Sequence, residues 1–246
     1  MLDQLLRFAI RVLRARYRDQ KIELRALRRH IRAGDIVCDI GANKGSYTYW
    51  LARWCGDGRV VAFEPQPSLA RQLAEICTVL RFSNVTVEPK AVYSLEGVEE
   101  LFVPDSHQPG ATLLSPAGTF TTIRVPTVTL DGYFGEATRI AALKIDVEGA
   151  ELHVLKGAEN ILRRCRPLIV VECENRHHAV GGIEGVFSYL RALGYNGHFI
   201  DGNRVLPIES FDVDVHQRQD GEWFWKQPGY CHNFIFAPAA PAPARA

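Results

Sequence analysis

The stretch DIVCDIGANKG, residues 35–45, decides the fold. DIVCDI is a short, mostly apolar run that ends at Gly41, and a helical pattern follows it with Tyr47, Trp50, Leu51 and Trp54 on one side. A strand that enters a helix through a glycine turn is the opening unit of a parallel sheet covered by helices. Gly41 permits a tight turn, and Gly45 permits close backbone approach or helix packing. Such a loop lets a ligand lie against main-chain atoms at the carboxyl end of the first strand. The spacing is not G-x-G-x-x-G: Asn43 stands where the second glycine would be, and Gly45 comes one residue early. That disfavours a dinucleotide pyrophosphate cradle.

The alternation continues downstream. RVVAFE (59–64) reads as a second buried strand, Pro65 and Pro67 break the chain, residues 68–80 read as a helix, and NVTVEPKAV (84–92) reads as a third strand. Residues 93–130 depart from this rhythm. Pro104, Pro109, Gly110, Pro116, Gly118 and Pro126 interrupt them, while EELFVP (99–104) and TTIRVPTVTL (121–130) alternate like strands. The segment is therefore expected to be a β-insertion with a loop at 105–120. AALKID (141–146), PLIVVECE (167–174), YNGHFID (195–201) and HNFIFA (232–237) read as further strands, with helices over 150–164 and 183–193. Residues 202–230 read as irregular, and the Pro/Ala-rich 238–246 as a disordered tail. The organisation is a helical extension over 1–32, one α/β domain over 33–237, and the tail.

Composition sets the outer bounds. With 246 residues, 47% of them apolar, the chain fits one large domain with an appendage. Six cysteines, none in a C-x-x-C pair, read as reduced buried thiols, which together with the absence of a signal-like N-terminus points to the cytoplasm. Net charge is +1 but uneven: residues 1–32 carry ten Lys/Arg against Asp3, Asp19 and Glu23, a net of +7, leaving the other 214 residues at −6. Leu2, Leu5, Leu6, Ala9, Val12 and Leu13, then Leu24, Leu27 and Ile31, recur at helical steps, so this is a basic amphipathic extension. Such a helix suits a domain cap, a homo-oligomer interface or peripheral contact with anionic lipid. The acidic body argues against a nucleic-acid partner.

Two further clusters carry chemistry. Glu64 ends the second strand 19 residues after Gly45, where a carboxylate can accept both hydroxyls of an adenosine ribose. Lys144-Ile145-Asp146-Val147-Glu148-Gly149-Ala150-Glu151 again lies where a strand enters a helix. Strand alternation puts Lys144 and Asp146 on one face, and the turn can bring Glu148 to the same cleft. Glu148 and Glu151 also suit a helix start, where acids complement the dipole.

DIGANKG, VVAFEPQP and LKIDVEGAELHVLKGAENIL together resemble the FkbM family of S-adenosylmethionine-dependent methyltransferases. The likeness runs from about Asp35 to Cys173, and more weakly to HNFIFA; the K-x-D-V-E-G-A-E segment is its specific part. The resemblance implies a class I methyltransferase fold: a Rossmann-like α/β architecture with a seven-stranded sheet in the order 3-2-1-4-5-7-6 and helices on both faces. It implies S-adenosyl-L-methionine as cofactor, with Asp39, Gly41, Ala42, Asn43 and Gly45 around its methionine part and Glu64 on the ribose. Pro65, Lys90 and Ala91 would flank the adenine, and Asp146 would sit near the methyl group. Family members are associated with O-methylation of sugar or polyketide hydroxyls, which implies a sugar-, glycan- or glycolipid-type acceptor.

A hydroxyl is a weak nucleophile, so a positioned carboxylate or histidine should take its proton. Asp146, Glu148 and Glu172 are the candidates in that order, with Glu174 behind them, all at predicted strand ends. His177 and His178 follow the fifth strand and could supply a base or metal ligands, but neither spacing nor cysteines support a metal, and none is expected. His153 reads as a packing or surface residue. Trp223, Phe224 and Trp225 suit either stacking on a sugar ring or plugging a loop onto the core. Competing readings are a methyltransferase for a protein or nucleic-acid acceptor, an inactive cofactor-binding partner subunit, and an NAD-dependent oxidoreductase.

Overall fold

A computed structural model describes residues 2–104, 110–114, 119–178 and 182–239. Most of the predicted 105–120 loop and of the predicted tail from residue 240 on lie outside the described residues. The chain opens with α1 (Leu2–Arg14), a π-helical turn (Ala15–Asp19) and α2 (Lys21–His30). Next come β1 (Ile36–Ile40), α3 (Ser46–Cys55), β2 (Arg59–Phe63), α4 (Pro67–Val79) and β3 (Val85–Glu88). β4 (Ala91–Val92), β5 (Gly97–Pro104), β6 (Phe120–Val128) and α5 (Leu130–Phe134) follow. β7 (Ile140–Ile145), α6 (Glu151–Lys156), α7 (Glu159–Cys165), β8 (Leu168–Glu172), α8 (Glu184–Ala192), β9 (Tyr195–Asp201), β10 (Arg204–Pro207) and β11 (Asn233–Pro238) complete it.

The main sheet has eight strands in the order β10-β9-β11-β8-β7-β1-β2-β3. This corrects the expected count of seven and its order, for two reasons. β4, β5 and β6 leave the main sheet and form a second sheet in the order β4-β6-β5, and β10 folds back on β9 as an additional edge strand. The signal for β10 is the two-residue Gly202-Asn203 turn inside a segment read as irregular; Asp201 and Arg204 face each other across it. β3, β2, β1, β7 and β8 run parallel to one another, while β11 runs antiparallel to β8 and β9.

Side-chain alternation sends Val37 and Cys38 to opposite faces. On one face Leu24, Leu27, Tyr47 and Leu51 pack with Val37 and Val60. On the other, Val154, Leu155, Leu162, Val186 and Leu190 pack with Cys38, Leu143 and Ile169. Central strands covered on both faces read as nearly unbroken apolar runs, as Val60–Phe63 does. α4 starts at Pro67, whose fixed φ and missing N–H suit the first helical turn. All six cysteines are free thiols.

Two predicted elements divide. The run 84–92 bends after Glu88, where Lys90 N–H turns back onto the Glu88 carbonyl at 2.8 Å, and Ala91–Val92 pairs with β6 instead. The predicted helix 150–164 breaks into α6 and α7 at Gly157, because the insertion crosses it there. A Cβ at Gly157 would stand 2.1 Å from the Tyr93 carbonyl oxygen.

Candidate active site

The carboxyl ends of β1, β2 and β7 meet at one cleft. Gly41, Asn43, Glu64, Pro65, Lys90, Ala91, Asp146 and Glu148 line it. Gly41 is obligatory for this convergence. Its φ is +74°, and a Cβ there would stand 1.7 Å from the Asp146 carbonyl oxygen, so β1 and β7 could not close side by side. Gly45 begins α3 with φ +77° and packs under Leu73. Asp39, Ala42 and Gly45 lie behind the cleft wall rather than in it. Asp39 is wholly buried and accepts the Thr48 hydroxyl at 2.6 Å, which pins the loop to the first turn of α3.

Glu64 is held from the backbone. Its Oε2 accepts Asn43 N–H at 2.7 Å and its Oε1 accepts Gln66 N–H at 2.9 Å. Burial pushes its pKa up to about 7, against these bonds and Lys144, which pull it down. The carboxylate therefore joins the glycine loop of β1 to the Pro65 turn of β2. Lys90 is drawn aside by Glu88 at 3.0 Å, and Tyr133 donates its hydroxyl to the same Glu88 at 2.8 Å.

Lys144 is buried behind the cleft wall, beside Gly41 and Asp146. Its ammonium donates to the Gly41 carbonyl at 3.0 Å and to Asp146 Oδ2 at 3.3 Å, and lies 3.5 Å from Asp39 Oδ1. Burial works against its charge, but Asp146, Asp39 and Glu172 outweigh burial and raise its pKa. One buried cation thus balances the acids of two strand ends.

Glu148 lines the cleft just beyond Asp146. Its backbone is left-handed at φ +52°, a conformation costly for a non-glycine residue. The turn is latched by Thr112, whose hydroxyl donates to the Glu148 carbonyl at 2.6 Å. Its Oε2 lies 3.1 Å from His177 Nε2. Burial, then the neighbouring Asp146 and Glu174, push the Glu148 pKa up to about 8. Burial and Arg176 push that of His177 down, so the imidazole is neutral near pH 7. Gly149 allows this contact, since a Cβ there would meet the His177 carbonyl at 2.7 Å.

Glu174 closes the far side. Arg176 grips it with two bonds of 2.8 and 2.9 Å, and Tyr230 donates to it at 2.7 Å. Burial raises the Glu174 pKa, but the guanidinium and phenol overcome it and hold the group below its usual range. The Arg176 guanidinium lies 4.7 Å from the Trp225 ring centre and 5.7 Å from that of Phe224. The aromatic loop is therefore anchored beside the carboxylates, with Trp223 left half exposed. Glu172 ends β8 one strand away and does not line the cleft; burial and Asp146 raise its pKa strongly.

Among the described residues, two groups bring metal-ligand atoms together within 4.8 Å: Glu148, Glu174 and His177, and separately Glu151, Cys173 and His178. In the first, the Arg176 guanidinium already neutralises Glu174. In the second, Glu151 spends Oε1 on the Gly149 N–H at 2.9 Å and meets His178 through Oε2 at 3.1 Å. His153, read from sequence as a packing or surface residue, stacks on Tyr93 with ring centres 4.2 Å apart.

The sequence reading missed one wall of the cleft. Leu101, Ala111 and Leu113, all from the insertion, line it opposite Ile40 and Val147. It also gave no role to Arg176 or Tyr230. The alternating pattern of 99–104 was a usable signal for an inward face, but nothing local says what that face meets.

A parallel sheet with an antiparallel β11, and a ligand cleft at the ends of its first, second and seventh strands, define a methyltransferase-like α/β fold. The chain belongs to the methyltransferase FkbM domain family, whose model matches residues 39–196. S-adenosylmethionine is the methyl donor of this family. No curated protein matches the chain. Among solved structures, the methyltransferase FkbM of Methylobacillus flagellatus superposes with a TM-score of 0.52 at 15% identity, over 83% of this chain and 43% of that one. The chain thus spans less than half the length of that relative. A methyltransferase-class protein of Streptococcus mutans in complex with SAH gives 0.52 at 12% identity, over 89% and 97%. Precorrin-6y C5,15-methyltransferase of Geobacter metallireducens gives 0.50 at 13%, over 89% and 86%. At these identities the likeness is one of fold.

Proposed function

We propose that the chain is an S-adenosylmethionine-dependent O-methyltransferase acting on a sugar hydroxyl, in a glycan, a glycolipid or a glycosylated natural product. The observation that carries this reading is the Glu148–His177 pair, set at 3.1 Å on the acceptor side of the cleft.

The residues present fit the cofactor. Gly41 and Asn43 offer bare backbone, Glu64 a buried carboxylate for ribose hydroxyls, and Phe63, Val92, Leu101 and Leu113 apolar walls suited to a purine. When bound, S-adenosylmethionine supplies an electrophilic methyl group on a sulfonium. The protein then has two tasks. It must orient the acceptor oxygen, and it must take that oxygen's proton. Glu148 and His177 serve the second task. Ionised Glu148 accepts the proton or holds His177 to accept it, and the neutral imidazole has room for the charge beside Glu148 and Glu174. Lys144 donates to Asp146 Oδ2 at 3.3 Å and so fixes that side chain at the junction of the two halves.

The sugar assignment draws on two further features. This side of the cleft presents the hydrogen-bonding groups Asp146 and Glu148, with His177 against Glu148, which match a polyhydroxylated ligand. Phe224 and Trp225 stand next to them, and aromatic faces stack on sugar rings. The net charge of −6 outside residues 1–32 opposes a nucleic-acid acceptor. The test is transfer of a radiolabelled methyl group from S-adenosylmethionine to matched panels of glycosides, proteins and RNA. Label in the glycoside panel, lost in Glu148→Gln, supports the proposal. Label confined to protein or RNA overturns it.

A further inference from the structure

Helix α1 has two apolar faces, and only one is used. Phe8, Val12 and Ala15 are buried, the first two against Ile76 with Tyr49 and Leu80 alongside. On the opposite side of the same helical path, Leu6, Ile10, Leu13 and Tyr17 are 59, 49, 50 and 67% exposed. Their 4-3-4 spacing makes one continuous stripe. Each of the four is followed directly by an arginine: Arg7, Arg11, Arg14 and Arg18. A one-residue step is a turn of 100° around the axis, so the arginines form a ridge along one border of the stripe.

We infer that this face docks on an anionic lipid bilayer. A helix lying in a membrane interface needs an apolar stripe to enter the acyl boundary and cations beside it to reach lipid phosphates. Both are present and in register. Asp3 pairs with Arg7 at 3.0 Å, and Asp19 is shared by Arg14 and Arg18, which leaves the ridge with more cations than anions. Arg25, Arg28, Arg29 and Arg32 extend the exposed positive charge, giving residues 1–32 their net of +7. A second copy of the chain fits less well, because an antiparallel isologous contact through this stripe brings two arginine ridges close to each other. Among the described residues no helix is long and apolar enough to cross a membrane, so the contact is one of lying on the surface.

The helix is also rigidly tied to the cofactor loop. Arg11 donates to the Lys44 carbonyl at 3.4 Å, Trp50 of α3 donates to the Val12 carbonyl at 2.9 Å, and a Cβ at Gly45 would lie 3.6 Å from the Phe8 ring. Docking through α1 therefore fixes the orientation of the cleft relative to the bilayer.

The inference needs no methyl transfer and is tested by binding. The full chain is sedimented with vesicles of phosphatidylcholine alone and of equal parts phosphatidylcholine and phosphatidylglycerol. Two variants accompany it: Leu6→Ser/Ile10→Ser/Leu13→Ser, and Arg7→Gln/Arg14→Gln/Arg18→Gln. Thermal melting checks that both fold, and light scattering after size exclusion gives the oligomeric state. The expected result is binding to the anionic vesicles, abolished by the serine variant and weakened about five-fold for each arginine removed. Absence of binding to anionic vesicles overturns the inference. So does binding that the serine variant retains, or a stable dimer that the serine variant dissociates.

Discussion

The two halves of the cleft are built by opposite means. On the side proposed for the cofactor, Glu64 is fixed by the N–H groups of Asn43 and Gln66, and Gly41 by the Asp146 backbone just after β7. On the side proposed for the acceptor, Glu148 is fixed by a strained backbone, a hydroxyl from the insertion and a histidine beyond β8. Main chain holds the first half and side chains from distant segments hold the second. A backbone-held site tolerates little change in its ligand. A site assembled from side chains can be retuned without touching the sheet, and this is where acceptor choice can vary within one fold.

Substitutions can break this contrast in order of size. Gly41→Ala should cost the most, about 4–5 kcal/mol of stability in urea denaturation, since the added carbon meets the Asp146 carbonyl in a left-handed turn. A variant that folds normally would show that backbone contact does not hold the first half. Glu148→Gln should lower kcat by about 10²–10⁴-fold. Its affinity for S-adenosylhomocysteine should change little. In the unaltered protein kcat/KM should rise through about pH 8 as Glu148 ionises, and the variant should lose that rise. Glu64→Ala should act the other way round, weakening S-adenosylhomocysteine binding in calorimetry by about 10–100-fold. Smallest, Thr112→Val should cost about 1 kcal/mol and lower kcat without affecting cofactor affinity.

Titration sharpens the comparison further. Glu64 and Glu148 have pKa values raised to about 7 and 8 from an ordinary 4.5. Between these limits the folded chain holds protons that the unfolded chain has released, so both groups make stability fall as pH rises. Urea midpoints measured across that window in Glu64→Gln and Glu148→Gln should show a shallower decline than the parent protein. An unchanged slope in either variant would mean that its carboxyl is not buried as described.

The same contrast explains what was legible in the sequence. DIGANKG and Glu64 could be placed because a strand, a glycine turn and the next strand end are local patterns with a fixed spatial outcome. Lys144, Asp146 and Glu148 share one turn and were placed for the same reason. Other parts depend on partners far away in sequence. Tyr230 reaches Glu174 across 56 residues, and Thr112 reaches Glu148 across 36. No periodicity encodes such meetings. The division of 84–92 and of 150–164 was hidden likewise, because each break is imposed by the path of the insertion. β10 is different: its Gly202-Asn203 turn was readable, and the long aromatic-rich segment around it masked the signal.

The Thr112 latch bears on how such enzymes could be recombined. A chimera that received residues 93–128 from another family member would inherit a new apolar wall for the cleft. It would keep its left-handed Glu148 turn only if a hydroxyl arrived at the matching position. The unit of exchange is thus the insertion together with the turn it clasps, and a crossover placed between them would separate a lock from its key.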